Sequence, residues 1–287
     1  MQRKLLQAML FWIGFSGTAA AGPQDALLIV AHGARQPEWN QRIFRLAEQV
    51  QWPGPVGVAF LMEAAPEHRL DTVAARLDAA GIERIIVLPL LVSSHSGHYE
   101  ELRYYVGQRT EPPHHAHYQP LRTRARLVLA PAMDDHPIVT RILADQVRAV
   151  STGPAGETLV LVAHGPNEDE ENRIWLEHLR RHAERLQQQF RFRRIEVTTL
   201  RDDAPAPIRD AATEQLRKVV RRAAGDSRVL VVPVLISVGQ IQKQIQERLK
   251  GLVYTMMETG LAEHPLAAEW IEQQASALQS AAAVRTR

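Results

Sequence analysis

Continuous apolar runs punctuate this chain, and most are too short to be helices. Leu27-Leu28-Ile29-Val30-Ala31, Ile85 to Val92 and Val229 to Ile236 run apolar without polar alternation. Such runs suit strands buried on both faces of a parallel sheet. Helical patterns lie between them. Ile43, Leu46, Ala47 and Val50 fall on one helical face, and Ile174, Leu176, Leu179 and Leu186 on another. Leu70 to Leu77 and Ala211 to Arg222 read as amphipathic crossover helices. Strand and helix alternate throughout. The pattern predicts an α/β architecture in which parallel sheets are flanked by helices through right-handed crossovers.

The alternation occurs twice. Ala31-His32-Gly33 recurs as Ala163-His164-Gly165, and at the same offset Leu27 to Val30 falls on Leu159 to Val162 and Asn40 on Asn172. Val58 to Pro66 corresponds to Val197 through Pro205, with Leu61/Leu200, Glu63/Asp202 and Pro66/Pro205 kept. Ile85 to Ser93 corresponds to Val229 to Ser237, sharing Pro89 and Pro233 inside the run. Leu127-Val128-Leu129 with Asp135-His136-Pro137 pairs with Leu252-Val253-Tyr254 and Glu263-His264-Pro265. Ordered landmarks of this kind mark a tandem duplication. The expected units are residues 22–150 and 151–287, joined through the Gly- and Pro-containing linker Ser151 to Gly156.

Composition narrows the chemistry. The 287 residues are 45% hydrophobic and 23% charged with a net charge of +2, which points to neither nucleic acid nor an acidic membrane as partner. There is no cysteine, so disulfides, thiolate ligands and a cysteine nucleophile are excluded. Any metal site must use His, Asp, Glu or other oxygen donors. Residues 1–21 read as a cleavable export signal: Arg3 and Lys4, then apolar Leu5 to Phe15, then Ala19-Ala20-Ala21 before Gly22. The apolar run is well short of the ~20 residues that span a bilayer, so no stable membrane anchor is expected after cleavage. In a bacterium the mature protein would then be periplasmic.

Ligands of open parallel sheets bind beyond the carboxyl ends of the strands. His32 follows the first strand, and Ser93-Ser94-His95-Ser96-Gly97-His98 with Glu100 and Glu101 follows the third. These strands are expected to be neighbours, so His32 can face His95 or His98. Paired imidazoles with a carboxylate suit a first-row divalent metal and can also accept protons. The second copy reads Ser237-Val238-Gly239-Gln240-Ile241-Gln242 at the equivalent place. The scaffold therefore persists without these histidines, which assigns them to chemistry rather than to folding. Glu63 is the favoured carboxylate, because Asp202 keeps an acid at the matching position; a helix-start acid is the equal alternative.

These segments together resemble the class II tetrapyrrole metal chelatases of the CbiX/SirB type. The resemblance rests on VAHGAR, the segment from Val58 to Pro66, VLPLLVSSHSGH and APAMDDHP, in that order. It implies two chelatase-like units facing each other across one cleft, and insertion of Co²⁺ or Fe²⁺ into sirohydrochlorin or a related tetrapyrrole, with no organic cofactor. It further implies that His32 is one metal ligand and proton acceptor, and that His95 or His98 is the other. Arg35, Ser93 and Ser94 are expected to contact the tetrapyrrole.

Weaker signals complete the reading. The stretch Pro112 to Tyr118, with His114, His115 and His117, reads as a lid or as an exposed insertion. His136 and His264 precede prolines and are expected to start helices, whereas His68, His178 and His182 are expected to be solvated. An exported tetrapyrrole- or metal-binding protein is the main alternative function. A histidine phosphatase requires Arg directly before the first-strand His, where Ala31 and Ala163 stand.

Overall fold

The computed structural model describes residues 25–62, 65–114 and 116–285. The export segment, Glu63 and His115 lie outside them. Two four-stranded parallel sheets carry the fold. The first orders β2 (Val56–Phe60), β1 (Ala26–Ala31), β3 (Arg84–Leu90) and β4 (Arg126–Leu129), and the second orders β6 (Arg194–Thr199), β5 (Glu157–Ala163), β7 (Arg228–Val234) and β8 (Thr255–Met256). Both sheets have the same strand order, as a duplication requires. The first and third strands of each repeat are paired.

Continuous apolar strands arise because each sheet is covered twice. Leu27, Ile29 and Ala31 of β1 join Leu159, Leu161 and Ala163 of β5 in one core. Ala26, Leu28 and Val30 face a separate outer core, and so do Val160 and Val162. The shared core is filled by α1 (Pro37–Ala47), α4 (Pro137–Val150), α5 (Asp169–Phe190) and α8 (Leu266–Arg285), while α2 (Leu70–Ala79) with α3 (Gly97–Tyr105), and α6 (Ala206–Ala224) with α7 (Gln240–Arg248), cover the outer faces. Among the described residues no helix is long and apolar enough to cross a membrane.

The repeats are interleaved. Helix α4 of the first packs on β7 of the second, and α8 of the second packs on β3 of the first. The His136 and His264 imidazoles start these two helices, their Nδ1 atoms each accepting a bond from the backbone N–H two residues on, at 3.2 Å. Pro89 and Pro233 sit inside central strands, but beyond the last residue paired with β4 or β8, so neither interrupts those ladders.

Two expectations are corrected. The fourth strand of the second repeat is Thr255–Met256, not Leu252 to Tyr254. Helix α7 ends at Arg248 and the chain turns at Gly251 with φ +83°, so Leu252 and Tyr254 pack on the outer core before the strand begins. His182 is not solvated but 1% exposed. Its Nε2–H donates to the Asp134 carbonyl at 3.0 Å, leaving Nδ1 to accept from the Thr140 hydroxyl at 2.7 Å. Burial pushes its pKa down to about 4. Nor are His68 and His178 free in solvent, for both are half-buried: His68 stacks near Phe44 and His178 lies near Asp134.

Candidate functional site

At the carboxyl end of β1 the chain must turn sharply. Gly33 takes φ +88°, and a Cβ there would stand 2.2 Å from the Met62 carbonyl oxygen. Gly165 repeats the turn with φ +77°, against Thr199. Glycine is required on both counts, conformation and space, which explains why both strand-end histidines precede one. The Met62 N–H then bonds the His32 carbonyl at 2.8 Å. Asn40 closes the loop, exchanging two 3.0 Å bonds with the backbone of Ala34.

This backbone fixes the His32 tautomer. Its Nδ1 lies 2.6 Å from the Gly33 carbonyl oxygen, which can only accept, so Nδ1 carries the proton and Nε2 keeps its lone pair. The ring is open to solvent on one side and crowded on the others. Burial and the neighbouring His98 hold its pKa below the ordinary imidazole value, and the bond to Gly33 only partly opposes them. At neutral pH His32 is an uncharged base with a lone pair facing outward.

His98 is its partner. The two rings meet edge to face with centroids 4.6 Å apart. Ser96 caps α3 by accepting the Tyr99 N–H at 3.3 Å, which places His98 inside the first turn. The carboxylate of Glu101, one turn further on, then lies 3.5 Å from His98 Nδ1 while itself only 1% exposed. His95 precedes the cap and goes elsewhere, its ring 5.9 Å from that of His178 on α5.

The second repeat also contributes. His164 feels the charge of His98 and acts in turn on His32, so all three imidazoles belong to one cluster. Burial, the largest influence, pushes the His164 pKa down, with Asp203 opposing from 3.5 Å. Asp202, the counterpart of Glu63, is instead buried in an ion pair with Arg248. Among the described residues no three His, Asp or Glu side chains form a ready-made metal cage.

Other expected site residues are placed differently. The Ser93 hydroxyl accepts the His95 N–H, and the Ser94 hydroxyl bonds both Asp134 and the Ala132 N–H. Their hydrogen bonding is spent on shaping the loop, not on a ligand. Arg35 is exposed on the loop after His32, and Glu100 is held by Arg103 and Arg109. His114 and His117 are exposed. The sequence reading passed over two contributors, His164 and Asp203. The repeated Ala-His-Gly turn was their one visible signal.

Comparisons with known proteins agree with this arrangement. The CbiX family model matches residues 26–150, the first repeat. No curated protein matches the chain. Among solved structures, the sirohydrochlorin chelatase SirB of Bacillus subtilis subspecies spizizenii, in complex with cobalt, is 16% identical with a TM-score of 0.61, covering 88% of this chain and 93% of that one. SirB from Bacillus subtilis with Fe³⁺ gives 17% and 0.62 over 88% and 94%. CbiX, described as the terminal enzyme for biosynthesis of siroheme in denitrifying bacteria, gives 17% and 0.54 over 88% and 98%. At these identities the likeness establishes the fold.

Proposed function

Because its first repeat belongs to the CbiX family, we propose that this chain inserts a divalent metal, Co²⁺ or Fe²⁺, into a tetrapyrrole such as sirohydrochlorin. The observation that carries the reading is the His32–His98 pair, in which the bond from Nδ1 to Gly33 leaves His32 Nε2 available at the mouth of the cleft. A free-base tetrapyrrole must lose two N–H protons as the metal enters. Neutral imidazoles can bind the incoming ion and take up such protons. A pair of ligands without a third also suits a metal that must leave, because its remaining positions stay open to pyrrole nitrogens. Glu101 would orient His98, as carboxylates do for ligating histidines.

The test is anaerobic incubation of the mature protein with sirohydrochlorin and Co²⁺ or Fe²⁺, followed by absorbance. His32→Ala is expected to lower the rate about 100-fold or more, the scale of positioned acid–base groups. His98→Ala should match it, whereas His95→Ala should not. His164→Ala is expected to lose about tenfold or less, since the second repeat has Ile241 where α3 has His98. Equal activity of wild type and His32→Ala refutes the reading.

The export signal favours a second reading, an exported tetrapyrrole- or metal-binding protein without turnover, because residues 1–21 would carry the mature chain to the periplasm. Binding of sirohydrochlorin with no spectral conversion by any divalent metal would establish that alternative.

A further inference from the structure

Most of the inner face of α5 is apolar and closes the shared core, but His178 departs from that pattern. Its Nδ1 is buried and takes part in no hydrogen bond among the described residues. Buried polar atoms almost always have a partner, and leaving one without costs about 1–3 kcal/mol. The nearest acid is Asp134, whose Oδ1 lies 3.7 Å away. Beside both is a small void of about 10 Å³, lined also by Ser93 and His182, close to the room one water or one bare cation needs. His95, exposed at the surface, brings its ring to 5.9 Å from that of His178.

We propose that His178, Asp134 and His95 form a second binding site for a first-row divalent cation, separate from the His32–His98 pair. Two imidazoles and a carboxylate are donors suited to Co²⁺, Ni²⁺ or Zn²⁺. A tetrahedral ion with arms of about 2.0–2.1 Å spaces its donors roughly 3.4 Å apart, so the gap between His178 and Asp134 needs only a few tenths of an ångström of adjustment. Asp134 is already oriented, since the Ser94 N–H and hydroxyl each donate to it at 2.7 Å. His182, one turn beyond His178, cannot be a ligand because both its ring nitrogens are engaged; it holds α5 against the Asp134 backbone instead. His95 completes the set by turning inward, which its surface position permits. The second repeat lacks an equivalent, its loop carrying Val238 and Gly239.

Anaerobic titration of the full chain with Co²⁺ alone tests this, read by calorimetry and by the visible absorption of imidazole-bound cobalt. His178→Gln should lose one equivalent that His32→Gln retains. His95→Ala should weaken that same equivalent about tenfold or more. Thermal melting by circular dichroism checks that the variants are folded; should His178→Gln melt early, the exposed His95→Ala decides alone. Cobalt binding by His178→Gln and His95→Ala indistinguishable from wild type overturns the site. So does loss of one and the same equivalent in His32→Gln and His178→Gln. No tetrapyrrole is present, so the outcome is independent of metal insertion.

Discussion

Replacing Glu157 by Gln asks whether the two repeats unfold together. Glu157 opens β5 with a carboxylate that is 2% exposed. It accepts the Thr152 N–H at 2.9 Å, the Ser151 hydroxyl, and Arg228 at 2.7 Å. Burial alone would raise its pKa, but these donors outweigh burial and hold it below the ordinary carboxylate value. The Glu157→Gln substitution keeps the volume, loses the charge and turns an amide N–H₂ toward groups that are themselves donors. Bonds to charged groups contribute about 1.5–3 kcal/mol, and breaking a buried pair costs about 3–5 kcal/mol. Arg228 is 39% exposed and can rehydrate, so about 3 kcal/mol is expected, or roughly 6–12 °C in Tm.

Calorimetry at pH 7 supplies the assay. Asp25 with Arg84 is the equivalent pair in the first repeat, bonded at 2.7 Å and also by Gln279 of α8. Interleaving through α4 and α8 predicts a single cooperative transition, moved as a whole by Glu157→Gln and by Asp25→Asn alike. The sign with pH follows from the lowered folded-state value. Glu157 stabilises fully above its unfolded pKa of about 4.3, and that stability is lost as pH falls through the folded value. Wild type and Glu157→Gln should therefore converge in acid. Two resolved transitions in the wild type, only one of them displaced by Glu157→Gln, would refute the shared-core argument.

Three further outcomes are expected. Gly33→Ala should cost roughly 3 kcal/mol or more through strain and overlap with the Met62 carbonyl, seen as a lowered denaturation midpoint. His136→Ala removes the bond to the Ile138 N–H at the start of α4 and should cost about 1 kcal/mol, measured by the same unfolding curve. Protein purified from the native host should begin at or near Gly22 on N-terminal sequencing; retention of Met1 would refute cleavage.

Much of this fold was legible because burial on both faces leaves strands with no polar alternation, as in β1, β3, β5 and β7. The interleaving was not. The apolar stripes of α4 and α8 show that each helix is covered on one side, but periodicity does not say by which sheet. His182 escaped for a related reason: a histidine inside a helical pattern looks the same whether it meets water or a Thr hydroxyl and a carbonyl. Glu63, favoured for its repeat partner Asp202, lies outside the described residues, whereas Glu101 had no such partner to recommend it and sits beside His98.

Helix capping explains both the choice of His98 over His95 and the asymmetry of the site. Ser96 caps α3 and Gly239 starts α7, and the second loop reaches its helix one residue sooner after its strand. Counted from the caps, His98 and Glu101 correspond to Ile241 and Gln244, not to the residues a loop-by-loop alignment pairs with them. The second repeat has therefore lost both the imidazole and the carboxylate that would support His164. Because the two sheets share one core, His164 does not stand alone in a decayed second site. It is brought to the His98 of the first repeat, where its uncharged ring adds a third imidazole to a single centre.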